Sequence, residues 1–145
     1  MTSAPSPDPD RGVEHATEQP DAEQTFASFR RAETLMAQRR PLDAVAALLP
    51  VLATQPDDAS VQLLAGRAFL DSAQLKRAES AFIRVLELDP ADHYARFALG
   101  KALQRQGRLT EALAQLKMAW AMDPRPEYQD AIGAVSARIA IGKQE

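Results

Sequence analysis

Two histidines, no cysteine and a scatter of carboxylates are all that this 145-residue chain offers for acid–base, nucleophilic or metal chemistry. Without cysteine there is no thiolate nucleophile, disulfide framework or cysteine-ligated metal. His15 stands in a segment rich in Pro, Ser, Asp and Glu, and His93 stands at a helix start. Neither has a carboxylate or serine at the spacing of a triad or metal site, so both are expected to be solvent-exposed. The glycines are isolated and form no phosphate-cradling loop. Asp57, Asp58, Asp89, Asp92 and Asp123, around three prolines, lack the alternating spacing of a calcium loop and read as helix caps. No enzyme, cofactor or metal site is expected.

Charge narrows the partners. Residues 1–24 carry a net charge of −5 and the remainder +2, so a slightly basic body wears an acidic tail. A balance that small does not argue for nucleic acid. The longest apolar run, residues 44–53, contains Pro50 and is far short of a membrane span, and residues 1–23 hold no apolar signal-peptide core. A cytoplasmic protein without a membrane segment is expected, and the excess of arginine over lysine with no asparagine fits a GC-rich bacterial genome.

The elements that position the remaining side chains come from self-similarity. Residues 1–21 lack periodic apolar residues and are expected to be a disordered acidic tail; residues 22–145 form one domain. Within that domain Pro56, Pro90 and Pro124 stand 34 residues apart. The same step links Ala44, Ala78 and Ala112; Ala32, Gly66 and Gly100; Leu35, Phe69 and Leu103; and Leu48, Phe82 and Leu116. Small residues recur where two helices cross, large apolar ones where the helices enclose space, and prolines where each unit must stop. Gly107 marks the turn inside the third unit. Pro50 falls inside a helix and should kink it.

A 34-residue helix–turn–helix unit with small crossing residues, a large apolar partner and a terminal proline resembles the tetratricopeptide repeat. The stretch 98–103 (ALGKAL), followed by Gly107, Ala112, Leu116, Ala119 and Pro124, carries the resemblance most fully. It implies an all-α fold: a short right-handed superhelix of three units (25–58, 59–92 and 93–126) and a capping helix over 127–142, about seven helices. Arg31 and Arg39 depart from the pattern, so the first unit is degenerate or acts as a cap.

The resemblance also implies that the first helix of each unit lines a groove for another protein. Helical spacing puts Phe26, Phe29, Glu33 and Met36 on that stripe, and the 34-residue step carries it to Leu63, Arg67, Leu70 and Asp71, then to Tyr94, Phe97, Lys101 and Arg105. A further step gives Tyr128, Ala131, Val135 and Arg138 on the capping helix. The expected peptide-binding groove is thus Phe26, Phe29, Leu63, Arg67, Tyr94, Phe97, Lys101, Arg105, Tyr128 and Arg138. It suits an apolar or acidic peptide, with Tyr94 and Tyr128 as anchors. In the alternative reading Phe29 and Phe97 pack between repeats and the arginines are only solvated. The clamp for a chaperone's terminal carboxylate is not expected, because Phe29, Glu33 and Leu64 stand at its positions. Trp120 should pack on the final helix. The function implied is an adaptor or co-chaperone; alternatively the groove or end cap holds another copy in a homodimer, or the acidic tail occupies the groove until a client displaces it.

Overall fold

The structure is a computed structural model that describes residues 21–144. The tail expected over residues 1–21 therefore lies outside the described residues, apart from Asp21. Among the described residues there are seven helices and no strand: α1 (Ala22–Ala37), α2 (Pro41–Thr54), α3 (Ala59–Asp71), α4 (Leu75–Leu88), α5 (His93–Arg105), α6 (Leu109–Met122) and α7 (Pro126–Gln144). Each helix packs chiefly on its neighbours in sequence, and α1 touches α3 as α3 touches α5. This is the repeating helical architecture expected from the 34-residue period. No described helix is long and apolar enough to cross a membrane.

The ends of the first helices follow from aspartate. The Asp21 carboxylate accepts from Gln24 N–H at 2.7 Å, Asp58 from Ser60 N–H at 2.9 Å and Asp92 from Ala95 N–H at 2.9 Å. The turns inside the pairs recur at Arg39, Ala73 and Gly107, whose φ angles are 59°, 62° and 78°. All three close the same left-handed motif, with the next residue's N–H bonded back to Leu35, Phe69 or Leu103 at 2.9, 2.8 and 3.0 Å. Only the third supplies the glycine that this conformation favours.

The crossings explain the small residues. A Cβ on Gly66 would lie 2.5 Å from the Phe82 ring, and one on Gly100 would lie 2.7 Å from Leu116 Cδ2. Phe82 and Leu116 are fully buried, as are Ala44, Ala78 and Ala112 on the second helices. Arg31 on α1 is exposed, whereas Ala65 and Leu99, 34 and 68 residues further on, are buried, so the column of buried apolar residues is broken at its first member. Helix α2 runs through Pro50 as one element, with the ring on its exposed side.

The pairs are also pinned by charge. Arg108 Nη1 bridges both oxygens of the half-buried Glu79 at 2.8 Å, and its Nη2 reaches Glu111 at 2.6 Å. Burial alone would push the Glu79 carboxyl up, but hydrogen bonds from Arg108 and Gln106, with the Arg108 charge, hold it below its usual value.

The last helix departs from the expected phase. Ala59 to His93 is a step of 34 residues, but His93 to Pro126 is a step of 33. The connection at 123–125 is one residue short, and α7 starts at Pro126 rather than at 127 and continues past 142 to Gln144. One residue turns a helix by about 100°, and this decides which α7 side chains face inward.

Candidate functional site

The first helices α1, α3 and α5 lie side by side and present one shared stripe. At its outer edge Phe26 is 64% exposed and Tyr94 is at the border of exposure, with Phe29, Leu63 and Phe97 half-buried between them. Phe29 and Leu63 pack on the main core and Phe97 on the core of the last helices, so these rings serve packing and surface together. One turn further along stand Arg67, exposed, and Lys101, half-buried. The Lys101 ammonium sits 5.9 Å from the centre of the Phe97 ring. Burial raises the Tyr94 phenol above its usual pKa, opposed by the Arg67 charge. Among the described residues neither Arg67 nor Lys101 takes part in an ion pair.

The apolar edge deepens at one place. A cavity of 310 Å³ opens between the starts of α1 and α3 and the end of α2, lined by Phe26, Phe29, Val51 and Val61, with Gln55 and Ser60 at its polar margin. Thr25 is buried beside it, its hydroxyl donating to the Asp21 carbonyl at 3.0 Å. The space takes one large apolar side chain, and the exposed Phe26 forms its rim.

Three of the expected groove residues sit elsewhere. Tyr128 is fully buried, its ring stacked on Phe97 at 4.6 Å and its hydroxyl 2.8 Å from His93 Nδ1. Ala131 and Val135 are buried too. The reason is the 33-residue step: counted from helix starts, Tyr128 corresponds to Val61 and Ala95, and Val135 to Ala68 and Ala102, all of them core positions. The residues that α7 turns toward the groove in their place are Glu127, Asp130 and Ala134, which are exposed. Arg105 is exposed but donates from Nη1 to the Leu70 carbonyl at 2.7 Å, closing the end of α3. Arg138 is exposed on α7.

His93 differs from its expected solvated state. It is half-buried, with Nδ1 on Tyr128 and Nε2 3.1 Å from Asp123 Oδ2, and Asp123 also accepts from Arg125 Nε at 2.8 Å. The imidazole thus ties the start of α5 to the end of α6 and to α7. No spacing rule reveals this trio, because its members come from three separate elements. Burial lifts the Tyr128 phenol above its usual pKa, against the Arg125 charge. Among the described residues no group of three or more His, Cys, Asp or Glu side chains is placed to hold a metal ion. Trp120 is 41% exposed rather than packed away under the final helix.

Known proteins show the same architecture. The profile of the family described as tetratricopeptide repeat matches residues 29–72 and 63–127. Similar solved structures include the second TPR domain of human RPAP3 in complex with the HSP70 peptide SGPTIEEVD, at 16% identity and a TM-score of 0.73, covering 79% of this chain and 96% of that one. The crystal structure of MamA is similar at 18% identity and a TM-score of 0.77, covering 90% of this chain and 74% of that one. The Sgt2 TPR domain from Aspergillus fumigatus is similar at 15% identity and a TM-score of 0.76, covering 87% and 85%. At these identities the likeness is one of fold. No curated protein matches the sequence.

Proposed function

The chain belongs to the tetratricopeptide-repeat family, and from that premise we propose that it is an adaptor or co-chaperone that holds a peptide segment of a client protein across α1, α3 and α5. One observation carries this reading. The stripe formed by these helices joins an apolar edge, with a cavity of 310 Å³ at one end, to two cations, Arg67 and Lys101, that no described carboxylate engages. A segment with a large apolar anchor and acidic residues about one helical pair away complements both halves. The RPAP3 domain, bound in its structure to the acidic and apolar peptide SGPTIEEVD, supports the class of partner. Binding is the activity this arrangement suits.

Client capture is therefore assigned to Phe26, Phe29, Leu63, Arg67, Tyr94, Phe97 and Lys101, with Tyr128 supporting Phe97 from behind. A fluorescein-labelled peptide carrying a Leu-Phe anchor followed by glutamates is the probe, read by polarisation. Arg67→Glu with Lys101→Glu should weaken it by about a hundredfold, and Phe26→Ala by about tenfold, with helix content unchanged by circular dichroism. Equal affinity for the charge-reversed variant and the parent would remove the basis for the reading.

A further inference from the structure

Residues 1–20 lie outside the described residues, and they join the body at the stripe itself. Asp21 caps α1, and Ala22, Thr25 and Phe26 of its first turns line the 310 Å³ cavity. The acidic segment is thus attached at the apolar edge of the client surface, one first helix away from Arg67 and two from Lys101. It carries Asp8, Asp10, Glu14 and Glu18 against one arginine, Arg11. Arg67 and Lys101 take part in no ion pair among the described residues. Charge and point of attachment direct the same segment to the same surface.

Reach separates the four carboxylates. By the 34-residue step Phe26, Ser60 and Tyr94 stand level, with Arg67 and Lys101 two turns beyond. At about 1.5 Å per residue along a helix and about 10 Å between packed helices, Arg67 stands about 20 Å and Lys101 about 26 Å from Ala22. An extended chain covers at most about 3.5 Å per residue, so Glu18 spans about 14 Å, Glu14 about 28 Å and Asp10 about 42 Å. Glu18 stops at the apolar edge, whereas Glu14 and Asp10 reach both cations.

We propose that the segment around Asp10 and Glu14 lies across α3 and α5 and pairs with Arg67 and Lys101 of its own chain, so that a client must displace it. This rests on the assignment of the stripe to client capture. Two features confine the segment. Toward α7 the stripe ends in Glu127 and Asp130, exposed and in no ion pair among the described residues, which repel an acidic chain. The cations of α4 are already faced by carboxylates: Arg84 is paired with Asp57 and Glu87, and Lys76 lies in the fields of Glu79 and Glu111. Val13 is the bulkiest apolar side chain among residues 8–19, so the segment satisfies the cations and leaves the cavity poorly filled. A client with a large anchor takes both and prevails.

The test compares the full chain with one carrying Asp8→Asn, Asp10→Asn, Glu14→Gln and Glu18→Gln, which keeps its length. The labelled anchor-and-glutamate peptide, read by polarisation at low salt, should bind the neutralised chain about threefold to tenfold more tightly, as expected for a weak competitor held at about millimolar effective concentration. The difference should close at about 0.5 M salt. A second readout needs no client: nuclear magnetic resonance of the parent should show amide signals of residues 8–18 that shift when Arg67→Glu and Lys101→Glu are introduced. Signals unmoved by that reversal would overturn the proposal whatever the peptide does, because any gain on neutralisation would then reflect repulsion at a distance. Peptide binding that depends on Arg67 and Lys101 but ignores the neutralised segment would also overturn it, while leaving client capture in place. A dimer in sedimentation equilibrium that neutralisation dissolves would seat the segment in a second copy and overturn it too.

Discussion

The same substitution at three equivalent positions should change stability in opposite directions. Replacing glycine by alanine inside a helix gains about 0.8–1 kcal/mol from backbone entropy alone. At Gly66 that gain meets the Phe82 ring, which three atoms of the ring bring within 3 Å of the new Cβ. The ring is fully buried and cannot swing aside, so the overpacking cost lies near the upper end of the usual range, about 3 kcal/mol. Gly66→Ala should therefore lose about 2 kcal/mol net. Gly100→Ala meets Leu116 at Cδ2 and Cγ and, at 3.3 Å, the Ala112 carbonyl, and should lose about 1 kcal/mol, less than at Gly66 because the closest approach is 2.7 Å rather than 2.5 Å. Gly133→Ala meets nothing and should gain nearly the full propensity term, about 0.8 kcal/mol. Urea denaturation in dilute solution, followed by far-ultraviolet circular dichroism, reads all three as midpoint shifts at constant slope. Shifts of the same sign at Gly66 and Gly133 would show that helix crossing does not dictate these glycines.

Three further outcomes follow from the described geometry. Ala73, at φ 62°, adopts the left-handed conformation that Gly107 adopts at 78°; Ala73→Gly should therefore raise stability by about 1 kcal/mol and Gly107→Ala lower it by about as much, measured by urea midpoint. The lowered Glu79 pKa means folding favours the carboxylate, so its contribution is complete above the usual value of 4.5 and is lost as pH falls through the lower folded value. Glu79→Gln should flatten that acid limb in a series of Tm against pH. Tyr128→Phe removes the partner of His93 Nδ1 and should cost about 1 kcal/mol, seen as faster amide exchange along α7 with α1–α4 unchanged.

How far the sequence announced this molecule depends on whether a feature repeats. Gly66 over Phe82 and Gly100 over Leu116 are legible because one physical demand, close approach of two helices, recurs at a fixed interval. Arg31 likewise stands out, because it breaks a column of buried apolar residues. Continuing the 34-residue step puts Tyr128 in the groove, and the step fails there because the connection around Pro124 is one residue short. The register of a helix is set where it starts, and Pro126 can open one as readily as the residue after it. The contacts of His93 and Arg105 are illegible for a different reason: their partners, Tyr128 and the Leu70 carbonyl, are 35 residues away in the chain, and no local pattern encodes such a meeting.

The short connection before α7 has an evolutionary side. A residue inserted between Met122 and Pro126 would lengthen the step from the start of α5 to the start of α7 from 33 to 34 residues, yet Tyr128, Ala131 and Val135 would keep their places counted from the helix start, and with them their burial. A connection of three residues or of four therefore delivers the same face of α7 to the core and the same Glu127, Asp130 and Ala134 to the stripe. The last joint of the solenoid can absorb a change of length that, inside a helix, would turn every side chain beyond it by about 100°.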